Sequence, residues 1–485
     1  MTGGIIQLVA HSPHDVFLTL DPQITFFKCI YRRHTNFAIE ATRQNFLHQV
    51  GFGKKATCPI TINGDLVSDT FLVLSLPNIN KICTNDFTKF AWVKKIGFAI
   101  IKMVEIEIGG FLIDRQYGDW LNIWSELTEN KYYAYNKMIG NIKELFQYSY
   151  EKEEYRLYIP LKFWFCFNIG MALPVMCMQF SPVLIHITFN EFDKCSLLSP
   201  TNYLTVKDDI VLFEEGEEIC QFIDGTHIYG EFIYFDIIEK RLYYNKKSKC
   251  CFKVPEEMCE ESSFEYNNYI IRGIYSCVVP ENISPVEICY DIDKIDFKES
   301  FLLVDYIYVD RDERTRFLNA KHDYLIQQLY FSGEKTIDDD AKMVKIEFFH
   351  PSKLLVWVAQ YEYVINLNDH FNYSNKGRSI IAYETILMNS IERLSKRNSN
   401  YFELAQVYQF FDQSSDVGIN LYSFALFPQE SFPSGSCNLT QFDYIDIDMR
   451  FHNVNKHNNI KFRAYSLNFN VLKIVNGLAG LVFSR

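Results

Sequence analysis

Two short runs of sequence near opposite ends of the chain decide the fold: residues 24–40, ITFFKCIYRRHTNFAIE, and residues 433–440, PSGSCNLT. Because the runs lie far apart, an architecture that includes both must account for nearly the whole length. The composition and the patterns between them narrow the choice of architecture.

The composition favours a protein of several domains built from β-strands. The chain has 485 residues, of which 48% are hydrophobic and 22% are charged, as in ordinary globular proteins. This length exceeds the roughly 250–300 residues at which one hydrophobic core stops growing, so we expect two or more domains. The 42 Phe and 31 Tyr suit the half-buried surface of a pleated sheet. We therefore expect an all-β fold.

Charge is concentrated in one segment. The formal net charge of −12 argues against a nucleic-acid-binding face along the whole chain, since such a face is basic. Residues 205–300 hold 21 acidic and 10 basic residues, a net charge of −11. This segment therefore differs in composition from the rest of the chain. One interpretation is a solvated acidic linker without a specific partner.

Strand signals recur in two series, separated by the charged stretch 311–317. The apolar or alternating runs that predict strands are residues 57–62, 70–76, 104–108, 229–238, 301–310, 344–349, 353–359, 420–427, 443–449 and 463–472. Many short strands between turns are typical of sandwiches and barrels. Two such series predict two sandwiches in tandem.

Three local patterns give sharper predictions. Asn63-Gly64 follows an apolar run and predicts a hairpin turn. Trp120, Ile123 and Trp124, with one further apolar residue a turn later, predict a helix over residues 118–131 that packs on a sheet. Residues 163–189 are apolar but contain two prolines, so we expect two buried strands joined by a turn rather than a membrane span.

Several segments resemble the major capsid proteins of nucleocytoplasmic large DNA viruses, which have a double jelly-roll fold. Besides the two runs quoted first, the resemblance is carried in the family's order by residues 107–114, 158–166, 170–174, 305–310, 312–314, 350–351, 355–357, 418–424, 468–472 and 477–481. Each motif alone is weak, but the ordered set spans nearly the whole chain.

The resemblance implies two tandem eight-stranded antiparallel jelly rolls with short helices in the loops and one large insertion. The implied division is an N-terminal arm over residues 1–25, a first jelly roll over 26–317 and a second jelly roll over 318–485. The first jelly roll would contain the acidic segment at about 205–300 as an insertion that faces outward. Residues 371–378 match the family only loosely.

The same resemblance implies a structural virion protein rather than an enzyme. Three copies would form a homotrimer of pseudo-hexagonal outline that tiles the icosahedral capsid of a large double-stranded DNA virus. The implied partners are the other copies, neighbouring capsomers, minor capsid proteins and an internal membrane, with no direct contact to nucleic acid. The protein would be synthesised and assembled in the host cytoplasm.

No motif predicts a catalytic, cofactor-binding or metal site. GxSxG and HExxH are absent, and the 13 cysteines lack a CxxC pair, so we interpret them as mostly reduced thiols in a chain without a secretory signal. Arg32, Arg33 and Arg43 are candidates for contacts at the inner face of the shell, with ordinary ion pairs as the alternative. Asn282, Asn372 and Asn438 match the N-glycosylation pattern and are candidate glycosylation sites.

A second hypothesis keeps the fold and changes the role. The acidic, aromatic insertion and the loose match at residues 371–378 also fit a lower-copy capsid paralogue, or a vertex or fibre component that recognises a glycan or a host surface. A hydrolase acting on polysaccharide is a third hypothesis, but no carboxylate is singled out by its spacing.

Overall fold

The structure is a computed structural model that describes residues 5–6, 9–10, 19–29, 31–80, 88–129, 133–208, 210–223, 225–255, 269–281, 283–288, 295–413, 415–452 and 459–483. Strands dominate it. The strands up to the end of the first sandwich are β1 Phe37–Gln44, β2 Lys55–Ile60, β3 Leu66–Leu76, β4 Ile79–Asn80, β5 Lys89–Trp92, β6 Ile101–Ile108, β7 Phe111–Tyr117, β8 Glu151–Lys152, β9 Tyr155–Pro160, β10 Val183–Phe189, β11 Ser196–Ser199, β12 Asn202–Thr205, β13 Glu218–Ile223, β14 Thr226–Asp236, β15 Arg241–Lys246, β16 Ile271–Arg272, β17 Cys277–Val278, β18 Val286–Glu287 and β19 Glu299–Val309.

The remaining strands form the second sandwich and its loops. They are β20 His322–Ile337, β21 Ala341–Ile346, β22 Pro351–Tyr361, β23 Ser374–Asn375, β24 Arg378–Ser379, β25 Ile381–Met388, β26 Ile391–Asn398, β27 Ile419–Ser423, β28 Cys437–Asn438, β29 Ile445–Phe451, β30 Ile460–Val475 and β31 Leu478–Leu481.

Helices are short and lie in the connections. The α-helices are α1 Ile96–Ile100, α2 Gly118–Thr128, α3 Tyr133–Met138, α4 Lys143–Phe146, α5 Phe192–Cys195, α6 Arg311–Asn319, α7 Glu362–Asn366 and α8 Gln406–Phe410. Single turns of 3₁₀ helix occur at Trp164–Cys166, Ile169–Met171, Val175–Cys177 and Leu439–Gln441, and a π-helical turn at Tyr401–Ala405.

Each sandwich is a pair of antiparallel sheets with a path of four strands each. In one sheet of the second sandwich, the short strands β28 and β31 also pair, with β22 and β30. In the first, the order β1-β19-β3-β9 faces the order β2-β10-β6-β7; in the second, β20-β30-β22-β27 faces β21-β29-β25-β26. The two orders correspond strand for strand, since β1 takes the place of β20 and β7 the place of β26. The predicted fold of two tandem eight-stranded jelly rolls is therefore confirmed.

Alternation of side chains explains the two cores. β10 has the burial pattern of a strand with every second side chain inward, and so does β29, as expected where one face of a sheet packs and the other does not. β22 is buried along almost its whole length because both of its faces are covered. The charged stretch between the two series forms helix α6, which Asp310 caps through the backbone N–H of Asp312.

The insertion is an ordered sheet between β10 and β19. Its seven strands run in the order β17-β16-β13-β14-β15-β12-β18, and it has a hydrophobic core of its own. That core contains Leu204, Val206, Phe213, Ile219, Ile228, Phe232, Leu242, Tyr244, Phe252, Ile271 and Val278. Because these residues bury apolar surface of their own, a structureless linker does not describe the ordered part of the insertion.

Helix α2 joins the two jelly rolls. Trp120, Ile123, Trp124 and Leu127 lie on its buried stripe and pack with Leu354 and other residues of the second roll's sheet. The predicted helix and its packing on a sheet are confirmed, although the helix ends at Thr128. The sheet belongs to the other jelly roll, which the pattern alone did not reveal.

Two local predictions are wrong. The apolar stretch 163–189 contains one strand, β10, and its first half forms the three 3₁₀ turns of residues 164–177; Pro174 removes a backbone donor there, which disfavours a second strand. Asn63-Gly64 does not close a hairpin, because β2 pairs with β10 while β3 pairs with β19 and β9. The turn instead crosses from one sheet to the other.

No helix among the described residues is long and apolar enough to span a membrane.

Candidate assembly surfaces

A strand-edge contact joins the two jelly rolls. The Asp114 carboxylate on β7 accepts the backbone N–H of Leu329 on β20 at 2.9 Å, and the Gln328 side chain donates to the carbonyl of Ile113. Gln116 donates to the same carboxylate at 2.9 Å. Burial raises the pKa of Asp114 to about 6, although these donors oppose the shift. The edge of one roll thus lies against the edge of the next within the chain.

A buried ion pair fixes the same junction from the side of helix α2. Asp119 lies 3.2 Å from the guanidinium of Arg463 on β30, and both side chains are almost fully buried. The hydroxyl of Tyr465 donates to Asp119 at 2.7 Å, and the hydroxyl of Tyr373 donates to its other oxygen. Burial, reinforced by the Asp119 charge, raises the pKa of Tyr465. One carboxylate of the first roll therefore accepts from three side chains of the second.

A third set of polar contacts, made by Lys95, also joins the two rolls. The Lys95 ammonium lies 2.6 Å from Glu126 and 3.2 Å from Asp416 of the second roll, and it donates to Asn122 at 3.0 Å. Charged contacts of this kind, packed around the tryptophans of α2, restrict the angle between the two rolls. The pair of rolls is consequently a preformed two-lobed unit.

The insertion is held against both jelly rolls. Lys89 of the first roll pairs with Glu215 of the insertion. Lys376, in the loop between β23 and β24 of the second roll, lies 4.1 Å above the ring of Tyr229, in the geometry of a cation–π contact. The loop that matched the family loosely is thus one that contacts the insertion.

Exposed apolar side chains lie at two turns of the insertion. Ile238 is 93% exposed and Tyr275 is 90% exposed, and Ile237 and Ile274 beside them are exposed as well. The backbone N–H of Ile238 donates to the Asp236 carboxylate in a tight turn, which holds this tip in a defined shape. Such tips are candidates for contact with another molecule.

The predicted inner-face arginines separate into two kinds. Arg32 and Arg33 lie in the segment before β1 and are exposed, as are the rings of Phe26 and Phe27 earlier in the same segment. Arg43 instead donates to Asn45 at 2.9 Å, pairs with Glu299 at 3.4 Å and stacks on the ring of Phe301. The alternative of an intramolecular ion pair describes Arg43, while contacts of Arg32 and Arg33 at an inner face stay a prediction.

The candidate glycosylation sites differ in accessibility. Asn282 lies outside the described residues. Asn372 is half-buried, and its amide donates to Asp369 at 2.9 Å while its oxygen accepts from Ser374. Asn438 is exposed, and its oxygen accepts the backbone N–H of Thr440 at 3.2 Å. Modification stays a prediction at all three.

The second roll contains two buried carboxyl groups, Glu384 and Glu403, of a residue type that can act as a catalytic acid or base. Burial raises the pKa of Glu384 to about 8, against hydrogen bonds from Trp357 and Ser399 and together with the charge of Glu403. Glu384 is fully buried and Glu403 is 5% exposed, so we assign both a structural role. Over the described part of the chain, no cluster of three His, Cys, Asp or Glu side chains has the arrangement of a metal site.

Comparisons with protein families match both halves of the chain. Residues 25–236 match the model described as the major capsid protein N-terminus. Residues 313–480 match the model described as the large eukaryotic DNA virus major capsid protein. The residues between the two matches, 237–312, include the whole second half of the insertion.

Individual relatives match over the full length. A probable capsid protein 4 of Acanthamoeba polyphaga mimivirus is 37% identical, over 100% of this chain and 99% of the relative. A major capsid protein of Pyramimonas orientalis virus is 30% identical over 100% of both. Among solved structures, VP54 of PBCV-1 has a TM-score of 0.64 at 22% identity, over 95% of this chain and 100% of that one, which is a likeness of fold.

Proposed function

The chain belongs to the family of major capsid proteins of large eukaryotic DNA viruses, and from that membership we propose that three copies form a homotrimeric, pseudo-hexagonal capsomer that tiles an icosahedral shell. It is a structural component of the virion capsid, and the family is not one of enzymes. The proposal concerns the number of copies and the outline they form.

The observation that carries the proposal is the set of contacts that joins the two rolls into one two-lobed unit. Two rolls with the same strand order are joined by the Asp119–Arg463 pair and by the β7–β20 contact. Three such units arranged about a threefold axis give six similar lobes from one repeated heterologous contact, which closes the ring. A closed ring of six lobes fills a hexagonal lattice position, as a shell tile must.

Purification of the whole chain tests this proposal. Size-exclusion chromatography with light scattering should give three times the chain mass of 57.1 kDa, and negative-stain class averages should show six lobes. A monomer at the highest attainable concentration would count against the homotrimer.

The division of the chain follows as part of the proposal. We assign residues 1–25 to an arm, 26–317 to the first jelly roll with the insertion at about 205–300, and 318–485 to the second. The neighbouring capsomers, minor capsid proteins and an internal membrane are the proposed partners, and the host cytoplasm is the proposed place of assembly. Arg32 and Arg33, exposed on the arm side of β1, are the proposed basic contacts at the inner face.

A lower-copy or vertex role is the second candidate, with recognition through the insertion. Two observations favour it: the exposed tips at Ile238 and Tyr275, and the higher identity to a relative named probable capsid protein 4 than to one named major capsid protein. Glycan-array binding by the whole protein, lost on replacing Ile238 and Tyr275 by serine, would support this candidate. An array without signal would dispose of its glycan-binding form.

A further inference from the structure

Two buried carboxylates of the second roll each have an oxygen that accepts no hydrogen bond. Glu384, on β25, is 0% exposed, and Glu403, in the π-helical turn Tyr401–Ala405, is 5% exposed. Atom Oε1 of Glu384 and atom Oε2 of Glu403 are buried and have no hydrogen-bond partner among the described residues. A buried polar atom without a partner costs free energy, and π-helical turns often occur at functional sites.

Other oxygens lie between the two carboxylates. Ser399 is hydrogen-bonded to Glu384, and Ser379 is hydrogen-bonded to Glu403. The hydroxyl oxygens of the two serines are 3.0 Å apart, and the hydroxyl of Ser399 is also 3.0 Å from the side-chain oxygen of Asn420. Each hydroxyl has a single proton to donate, so the two serines cannot donate in all of these contacts. The cluster is therefore rich in oxygen acceptors and short of donors.

The charge of the two carboxylates is not balanced by a basic side chain within the described residues. Arg397 is opposite Glu384 in the pairing of β25 with β26, but its guanidinium lies 4.3 Å above the ring of Tyr401. The indole N–H of Trp357 donates to the second oxygen of Glu384, and this donor is neutral. Buried charges are found paired or coordinated to a metal, or they are removed by protonation.

We propose that Glu384 and Glu403 bind a calcium ion between them in the interior of the second roll. The hydroxyls of Ser379 and Ser399 and the side-chain oxygen of Asn420 are the further ligands. Oxygen ligands select hard cations such as Ca²⁺ and Mg²⁺, and two carboxylates balance a charge of +2. Ca²⁺ accepts several protein oxygens in a flexible arrangement, whereas Mg²⁺ demands an octahedron and usually keeps several waters. A site this well shielded from water therefore fits Ca²⁺.

The ion links three parts of the second roll that are far apart along the chain: β25, the π-helical turn and β27, which carries Asn420. An ion that binds the folded form and not the unfolded chain stabilises the fold by mass action. When no ion is bound, a proton on Glu384 removes one of the two charges, so the chain also folds in a chelator. This role does not depend on the number of copies that assemble.

Metal analysis of the full-length protein tests the site. Protein stripped with EDTA and then dialysed against dilute CaCl₂ should retain one Ca²⁺ per chain by inductively coupled plasma mass spectrometry. Its melting temperature should exceed that of the stripped protein. Glu384→Gln and Glu403→Gln should each lose the ion and melt at the same temperature with and without EDTA. Glu392→Gln, at an exposed acid on β26 of the same roll, is the matched control and should retain both the ion and the shift.

Terbium luminescence of the unmodified protein gives a second measurement that does not depend on any variant folding. Tb³⁺ is a luminescent probe of calcium sites, and Trp357 contacts Glu384, so excitation of tryptophan should sensitise Tb³⁺ emission. Ca²⁺ should displace this signal, and Mg²⁺ at the same concentration should not. A protein that retains no Ca²⁺ and gives no displaceable emission would overturn the assignment. Calcium retained equally by the wild type and both glutamine variants would overturn it as well.

Discussion

Replacing Asp119 by asparagine removes one charge from the junction between the rolls with almost no change in size. The carboxylate is 13% and its partner Arg463 14% exposed, so the substitution leaves a guanidinium that water hardly reaches. Tyr465 and Tyr373 also lose an acceptor of full charge. Removing one partner of a buried pair typically costs about 3–5 kcal/mol. For a transition of one roll, this corresponds to a fall in melting temperature of roughly 6–20 °C.

Differential scanning calorimetry of the purified chain measures this effect. The pair couples the two rolls, so we expect the asparagine variant to lose cooperativity, with one part of the transition moving to lower temperature. Asp338→Asn is the matched control, because Asp338 forms its ion pair with Lys342 at the surface, where such pairs contribute little. Adding Arg463→Met to Asp119→Asn should restore part of the loss, since no unpaired charge is then buried. A melting profile for Asp119→Asn that matches the one for Asp338→Asn would refute the reasoning.

Two further predictions concern buried groups. Because burial raises the pKa of Glu384 from 4.5 to about 8, its contribution to stability is fully present below pH 4.5 and is lost as the pH rises through about 8, by at most about 5 kcal/mol. Glu384→Gln should therefore flatten the pH dependence of unfolding, monitored by intrinsic tryptophan fluorescence, whereas the exposed Glu347→Gln should not. Parallel profiles for the wild type and Glu384→Gln would exclude this cause. Gly118→Ala would place a methyl group against two backbone carbonyl oxygens where β7 enters α2, so we expect a marked fall in melting temperature. Gly480→Ala is the control, because a methyl group there meets open space, and its melting temperature should not change. Equal melting curves for the two variants would show that the turn at Gly118 adapts.

The sequence predicted the layers better than their connections. Alternating runs such as residues 443–449 predicted strands because a one-sided core imposes a period of two, and β29 covers Ile445–Phe451. The Trp120–Trp124 stripe predicted a buried helix because its apolar residues recur at helical spacing. That spacing does not say which sheet covers the helix. Asn63-Gly64 misled because a turn dipeptide specifies a change of direction and not the partner strand.

Most of the candidate surfaces could not be predicted from local sequence patterns. Asp119 and Arg463 lie far apart in the chain, and nothing in their local sequence marks them as partners. The exposure of β1 and β26 appears only when the sheets are assembled, because it depends on which other elements lie against each strand. Of the opening run at residues 24–40, only the last four residues enter β1. The acidic insertion was visible as a change in charge, but its seven-stranded sheet was not.

One measurement bears most directly on the central claim that the two rolls are a rigid unit built to close in threes. Native mass spectrometry of the full-length protein, followed by single-particle averaging of the same sample, should give three chains in a ring of six lobes. A stable species of one chain, or a ring whose lobes are not six, would contradict the account.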